Sequence, residues 1–234
     1  MERKIYGVFT AGGSGVRMGA QVPKQFLEID GKPILQRTIE RFLEAVPEME
    51  VIVVLPKDHF STWNELCMKN AFNVKQTLVA GGLTRFHSVQ NALRKVPDGA
   101  VVAIQDGVRP FASIGFLRGM FSRMEDIPAL IPVRPVTDTL KTLERDVDGV
   151  LRTSNVPDPD RSIIFGAQTP QIFHSEDLKE AYCTAFDVSF TDDASVFRKS
   201  GKPLAWCEGE RFNIKITTPE DLKLSEALIA GRMI

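Results

Sequence analysis

Short apolar runs alternate with amphipathic stretches along the first half of the chain. The runs Ile5–Phe9, Val51–Leu55, Val74–Val79, Val101–Ile104 and Ala129–Val133 have the length and branched-residue content of buried strands. Between the first two, Pro33–Val46 carries Leu35, Ile39, Phe42, Leu43 and Val46 at helical spacing, and Pro33 suits a first helical turn. Thr84–Val96 and Ser113–Met124 read as further helices. Strand–helix alternation of this kind predicts an α/β fold: a Rossmann-like, mostly parallel sheet with helices on both faces. Ligands of such sheets gather at the carboxyl ends of the strands.

The rhythm breaks after Pro132. Thr139–Glu144 and Val150–Asn155 read as two strands joined by Asp148-Gly149, a favourable hairpin pair. They have too few apolar residues for a core of their own. The segment from about 134 to 164 is therefore expected to project as an arm and to pack on a partner subunit, or to remain a surface excursion. Helices over Ser175–Phe186 and Asp193–Ser200, and strands over Leu204–Cys207 and Phe212–Ile216, are expected to rejoin the sheet. Thr218, Pro219 and Asp221 give a clear start to a final helix. With no repeat or long linker, the 234 residues read as one domain.

Composition changes this picture little, but it excludes several classes. Lys and Arg total 29 against 30 Asp and Glu, for a net charge of −1, so no global field favours nucleic acid or an anionic membrane. No apolar run approaches the roughly 18 residues of a membrane span. Cys67, Cys183 and Cys207 form an odd set without metal spacing, which points to a reducing cytoplasm. His59, His87 and His174 are scattered and lack the spacing of a zinc site.

The chemistry is concentrated in loops. Directly after the first strand comes Ala11-Gly12-Gly13-Ser14-Gly15-Val16-Arg17-Met18-Gly19, then Pro23-Lys24-Gln25. Glycines leaving a strand let backbone N–H groups approach an anion, and Arg17 and Lys24 add fixed charge. A P-loop is excluded because Gly31-Lys32 runs into Pro33. A dinucleotide fingerprint is excluded because Met18 stands at its third glycine, and Leu55-Pro56 offers no acid after the second strand. A dinucleotide-dependent oxidoreductase is accordingly disfavoured. The loop instead suits a nucleoside triphosphate.

Asp106, in Gln105-Asp106-Gly107-Val108-Arg109-Pro110, lies just after a strand on the same rim and suits Mg²⁺, or else caps the next turn. Arg109 reads as a phosphate fork or as an ion-pair partner of Asp106. Gly81-Gly82 with Arg85 and Ser88 wraps a base or ribose, or simply opens a helix. Thr139 and Lys141 lie on the arm, with Arg161 and Thr169 beyond it, and Thr191 stands at a helix start. Lys215, between two isoleucines, points either to a ligand or to solvent. Gathered cations and a metal-type carboxylate suit phosphoryl or nucleotidyl transfer, in which positioning and charge neutralisation dominate.

These motifs, in this order, resemble the 2-C-methyl-D-erythritol 4-phosphate cytidylyltransferase family over nearly the whole chain. The resemblance extends to Asp138-Thr139-x-Lys141, Gln168-Thr169-Pro170-Gln171, Thr191-Asp192-Asp193-Ala194-Ser195 and Asn213-Ile214-Lys215-Ile216-Thr217. It implies cytidylyl transfer from CTP to a methylerythritol phosphate with release of pyrophosphate, using Mg²⁺ at Asp106. Ala11, Gly12, Gly13, Ser14, Gly15, Gly82, Arg85, Ser88 and Asp106 would hold the nucleotide. Arg17, Lys24, Lys215 and Arg161 would be the catalytic cations. Asp106, Arg109, Thr139, Arg161, Thr169 and Thr191 would line the acceptor site. The arm would insert into a second subunit, so that Thr139 and Arg161 complete the partner's site in a homodimer. The family pattern has His-Asp-Ala where this chain has Gln105-Asp106-Gly107. A ribitol-5-phosphate cytidylyltransferase carries the same motifs and is the alternative reading.

Overall fold

The computed structural model describes residues 3–13 and 22–231. In chain order, β1 (Ile5–Thr10) leads to a small ribbon of β2 (Glu28–Ile29) and β3 (Lys32–Pro33), then to α1 (Ile34–Ala45). There follow β4 (Glu50–Leu55), α2 (Phe60–Lys69), β5 (Gln76–Ala80), α3 (Arg85–Leu93), β6 (Val101–Asp106), α4 (Ile114–Ser122) and β7 (Ala129–Pro135). The arm carries β8 (Leu143–Arg145) and β9 (Leu151–Thr153). After it come β10 (Phe165–Ala167), β11 (Gln171–His174), α5 (Ser175–Ala181), α6 (Asp193–Lys199), β12 (Ala205–Glu208) and α7 (Pro219–Ala230).

β1 lies between β4 and β6, parallel to both, and β5 continues in parallel outside β4. β11 runs antiparallel between β6 and β7. Leu130 of β7 faces Ile172 on one edge and Ala205 on the other, while Val133 faces Ala167 and Glu208. β10 and β11 therefore follow one another along a single edge of β7, and parallel β12 covers the opposite edge. The mostly parallel, Rossmann-like architecture agrees with the sequence reading.

Alternation along the strands builds two cores. Phe9, Val51, Val53, Leu55, Val101 and Ala103 face the layer formed by α1, α2 and α4, where Leu35, Ile39, Phe42 and Trp63 are fully buried. Val8, Ile52, Val54, Val102 and Ile104 face α3, α5 and α6. Strands covered on both faces must be apolar at consecutive positions, which is why they read as unbroken runs. Each fully buried large side chain contributes about 1.5–3 kcal/mol relative to exposure.

Several expected boundaries move. The third strand begins at Gln76 rather than Val74, and the helix after His174 ends at Ala181 rather than Phe186. Pro33 sits at the N-cap of α1 rather than inside its first turn. The hairpin strands shorten to Leu143–Arg145 and Leu151–Thr153 around a turn in which the Gly149 amide donates to the Asp146 carbonyl. Phe212–Ile216 is not a strand: its Ile216 amide donates to the Val108 carbonyl of a loop, not to a sheet edge. The expected final helix is α7, capped reciprocally by Thr218 and Asp221 with Pro219 at its first position.

Candidate active site

The chain reverses its course across the sheet between β1 and β6. β4 and β5 extend the sheet to one side of β1 and β6 opens the other, so the crevice over the carboxyl ends of β1 and β6 is the topological switch point. Thr10 and Asp106 are register partners at that point. A cleft of about 830 Å³ opens there, lined among others by Ala11, Gly12, Gly13, Lys24, Gly82, Arg85, Ser88, Asp106 and Lys215. The sequence assigned every one of these nine to the site. Ser14, Gly15 and Arg17 lie outside the described residues.

The first wall is the glycine turn with the Pro23-Lys24-Gln25 step. Lys24 opens a short 3-10 turn whose next two residues, Gln25 and Phe26, are buried. The Gln25 amide donates to the Ala11 carbonyl at 2.7 Å, clamping the step to the end of β1. Lys24 Nζ donates to the Ile216 carbonyl at 3.3 Å. Its Cε passes 3.4 Å from the position a Gly13 Cβ would occupy, so the lysine stem runs in contact range of the glycine turn.

The second wall is Asp106 and its cations. Asp106 Oδ2 accepts from Arg109 Nε at 2.9 Å and lies 3.1 Å from Lys215 Nζ. Burial raises the cost of ionising this carboxyl, but Lys215, Arg85 and Arg109 outweigh it and hold its pKa at about 2. Asp106 is thus an anion throughout the neutral range. The Arg109 pair is largely buried rather than the surface ion pair of its alternative reading. Arg109 also donates to the Asn213 carbonyl, and the Asn213 amide donates to the Thr169 carbonyl. Thr169 Oγ1 in turn accepts from the Asp106 amide at 3.1 Å. This lattice docks the segment 213–216 beside the turn after β6. Ile216 is fully buried, and the next residue back, Lys215, turns toward Asp106.

The third wall is the Gly81–Ser88 turn. Ser88 Oγ accepts from the Gly82 amide at 3.0 Å and donates to the Thr84 carbonyl at 2.9 Å. A Cβ at Gly82 would lie 2.4 Å from His87 Cβ, so only glycine lets the turn fold this tightly onto α3. Arg85 lines the cleft, and its guanidinium pairs with fully buried Asp193. Burial opposes its charge, and Asp193 more than compensates, so its pKa is raised above the ordinary arginine value.

Other expected residues are not gathered into this cleft. Thr139 and Arg161 are exposed on the arm, where Arg161 donates to the Thr137 carbonyl. Thr191 is exposed just before the α6 cap, which Asp192 and Ser195 form reciprocally. Arg109 borders a second hollow of about 590 Å³ together with Arg134, Asp138 and Gln168. Lys57 and Asp58 line the main cleft but were not anticipated, since they follow β4 in a stretch with no motif around them. Asn213 was quoted only within a motif; its full burial and central hydrogen bonds could not be read from spacing. Among the described residues, His174, Glu176 and Asp177 could hold a metal ion, but the two carboxylates are already bound by Arg3 and Lys202.

A glycine turn faces an ionised carboxylate across a switch-point cleft, and lysines stand on both sides. That arrangement defines a Rossmann-like nucleotidyltransferase. The sequence profile of the 2-C-methyl-D-erythritol 4-phosphate cytidylyltransferase family matches residues 5–231, and the chain belongs to that family. It is 45% identical over 233 residues to the enzyme so named from Porphyromonas gingivalis strain W83, covering 99% of this chain and all of that one. It is 44% identical over 222 residues to the Bacteroides fragilis enzyme of the same name, covering 95% and 98%. Among solved structures it resembles the 4-diphosphocytidyl-2C-methyl-D-erythritol synthase of Anaerococcus prevotii, with TM-score 0.77, 28% identity and coverage of 97% and 99%. It also resembles the Thermus thermophilus cytidylyltransferase, with TM-score 0.71, 30% identity and coverage of 98% and 100%.

Proposed function

We infer that this chain transfers a cytidylyl group from CTP to 2-C-methyl-D-erythritol 4-phosphate, forming 4-diphosphocytidyl-2-C-methyl-D-erythritol and pyrophosphate. The observation that carries this reading is the grouping of Lys24, Lys215 and ionised Asp106 around the glycine turn at the switch point. A phosphate oxygen of the acceptor attacks the α-phosphorus of CTP in line. The new P–O bond forms as the bond to the bridging oxygen of the leaving pyrophosphate breaks. The attacking oxygen is already ionised, so no side-chain nucleophile is required.

Both reactants are polyanions, and bringing them together is the main obstacle. Lys24 is tied to the Ile216 carbonyl and Lys215 to Asp106, so both charges are oriented before substrate arrives. Arg17, on the same loop, adds to this set. The turn amides of Gly12 and Gly13 take triphosphate oxygens, the Ala11 amide being held by the Val54 carbonyl at 2.9 Å, while Gly82, Arg85 and Ser88 form the cytidine end. Asp106 suits Mg²⁺: one ionised carboxylate, completed by phosphate oxygens and water, is the donor set this ion uses. Bound there, Mg²⁺ supplies further charge neutralisation on the phosphates.

Arg109, Thr169 and Thr191 bound the acceptor side. The arm offers Thr139 and Arg161 to a second subunit. Its exposed Leu151, Val156 and Ile163 are apolar surface of the kind a partner covers, which supports a homodimer built through residues 134–164. Cys67, Cys183 and Cys207 are free thiols, in keeping with work in a reducing cytoplasm. Among the described residues no helix is long and apolar enough to cross a membrane.

The test is pyrophosphate release from CTP and Mg²⁺, with methylerythritol phosphate and ribitol 5-phosphate as parallel acceptors. Turnover on the first and its loss on chelation of the metal are expected. Turnover mainly on ribitol 5-phosphate would refute the acceptor assignment while leaving the transfer chemistry intact.

A further inference from the structure

We propose that Asp193, fixed by Tyr182, is a positioning residue that holds Arg85 at the wall of the nucleotide cleft and joins that wall to the loop carrying Thr191. Asp193 is completely buried, yet it carries a carboxylate. An isolated charge at such depth is strongly disfavoured, so both oxygens must be compensated. They are: Oδ2 takes the Arg85 guanidinium, and Oδ1 accepts from the Tyr182 hydroxyl at 2.6 Å.

These partners come from separate elements. Arg85 is the first residue of α3, immediately after the Gly81–Thr84 turn, and Tyr182 is the C-cap of α5. Asp193 is the first residue of α6, two positions after Thr191. Gln171 of β11 secures the same helix start by donating to Asp192 Oδ2 at 2.7 Å and accepting from the Ala194 amide at 2.8 Å. Tyr182 is itself held by stacking on Phe86, the residue after Arg85, with centroids 4.7 Å apart. The carboxylate is thus a buried rivet between the nucleotide turn and the acceptor-side loop. One face of Arg85 is committed to it, while the residue also borders the cleft in which Asp106 lies.

Removing the charge at Asp193 frees the guanidinium to swing and leaves the turn without its anchor. The cost falls on substrate capture through Arg85 rather than through any contact of Asp193 with the reactants. This inference rests on reading the cleft as the nucleotide site.

The experiment is a steady-state cycle with Asp193→Asn, Arg85→Gln and their double variant, with CTP and acceptor varied in turn. Asp193→Asn is expected to raise KM for CTP by about tenfold, the scale of one lost charge-assisted contact, with a smaller change in kcat. The double variant is expected to be no worse than Arg85→Gln, because Asp193 acts through Arg85. Tyr182→Phe keeps the ring packing and removes only the hydroxyl. It is expected to raise the same KM by roughly threefold, and it carries the test if Asp193→Asn does not fold. Additive losses in the double variant, or an unchanged KM for CTP in variants that are merely less heat-stable, would overturn the positioning role. A wild-type enzyme with no CTP-dependent pyrophosphate release would instead overturn the nucleotide-site reading.

Discussion

Replacing Asp106 by Asn gives a pH-dependent loss of stability whose size follows from the site. The carboxyl is almost fully buried, and Lys215, Arg85 and Arg109 hold its pKa at about 2 against an ordinary 3.8. That depression favours folding by about 2 kcal/mol at pH 7, at roughly 1.4 kcal/mol per pH unit. The sign follows from the direction of the shift. A depressed carboxyl contributes its full stabilisation above the unfolded value of 3.8 and loses it as pH falls through about 2. At pH 3 the unfolded chain is mostly protonated at this position while the folded site is still mostly ionised, and the contribution has dropped to about 1 kcal/mol. Urea melts of wild type and Asp106→Asn, at fixed protein concentration, read this difference. Fully buried Trp63 is a suitable fluorescence reporter. The stability gap between the two proteins should narrow by about 1 kcal/mol between pH 7 and pH 3. A gap that stays constant or widens on acidification would refute the account of Asp106 as a carboxylate kept ionised by its cations. The pH-independent cost of leaving Arg109 and Lys215 without their partner adds to both ends and cancels from the comparison.

Lys24→Ala should lower kcat by ~10²-fold or more in a protein with unchanged circular dichroism, the effect of losing one preorganised transition-state donor; a near-normal kcat rejects that role. Gly82→Ala should cost roughly 1–3 kcal/mol, because its Cβ would sit 2.4 Å from His87 Cβ, and thermal melting would register the loss. Ile163→Asp, on the exposed face of the arm, should shift sedimentation from dimer toward monomer and weaken acceptor binding. If the sedimentation coefficient is unaltered, the arm is not the dimer contact.

Much of the fold was legible because both faces of the sheet are covered. A doubly covered strand must be apolar at successive positions, and β1, β4, β6 and β7 stand out as such runs. The residues that line the cleft were legible for a different reason: glycine turns and charged side chains stand out in the loops at the carboxyl ends of strands, and Lys24 and Asp106 border those loops. What stayed hidden depends on which segments meet. α2 buries chiefly Trp63 and Cys67 and shows a weak helical stripe, so it was not seen. Phe212, Ile214 and Ile216 alternate like a strand, but the Ile216 amide is taken by the loop carbonyl of Val108. β11, only Gln171–His174, gave too short a run to announce a central strand. The pairing of Arg85 with Asp193 spans 108 residues, and no local pattern signals it.

The insertion of β11 between β6 and β7 sets an order of assembly. Its neighbours are complete by Asp106 and Pro135, yet the strand that joins them is made only after the whole arm has been synthesised. Until His174 emerges, the nascent sheet is split, with two unpaired edges facing the gap. Long-range pairings of this kind close slowly, and open edges invite pairing between chains. Nascent chains that stall within the arm are therefore the species most exposed to aggregation, and the segment 165–174 is the clasp that ends that exposure.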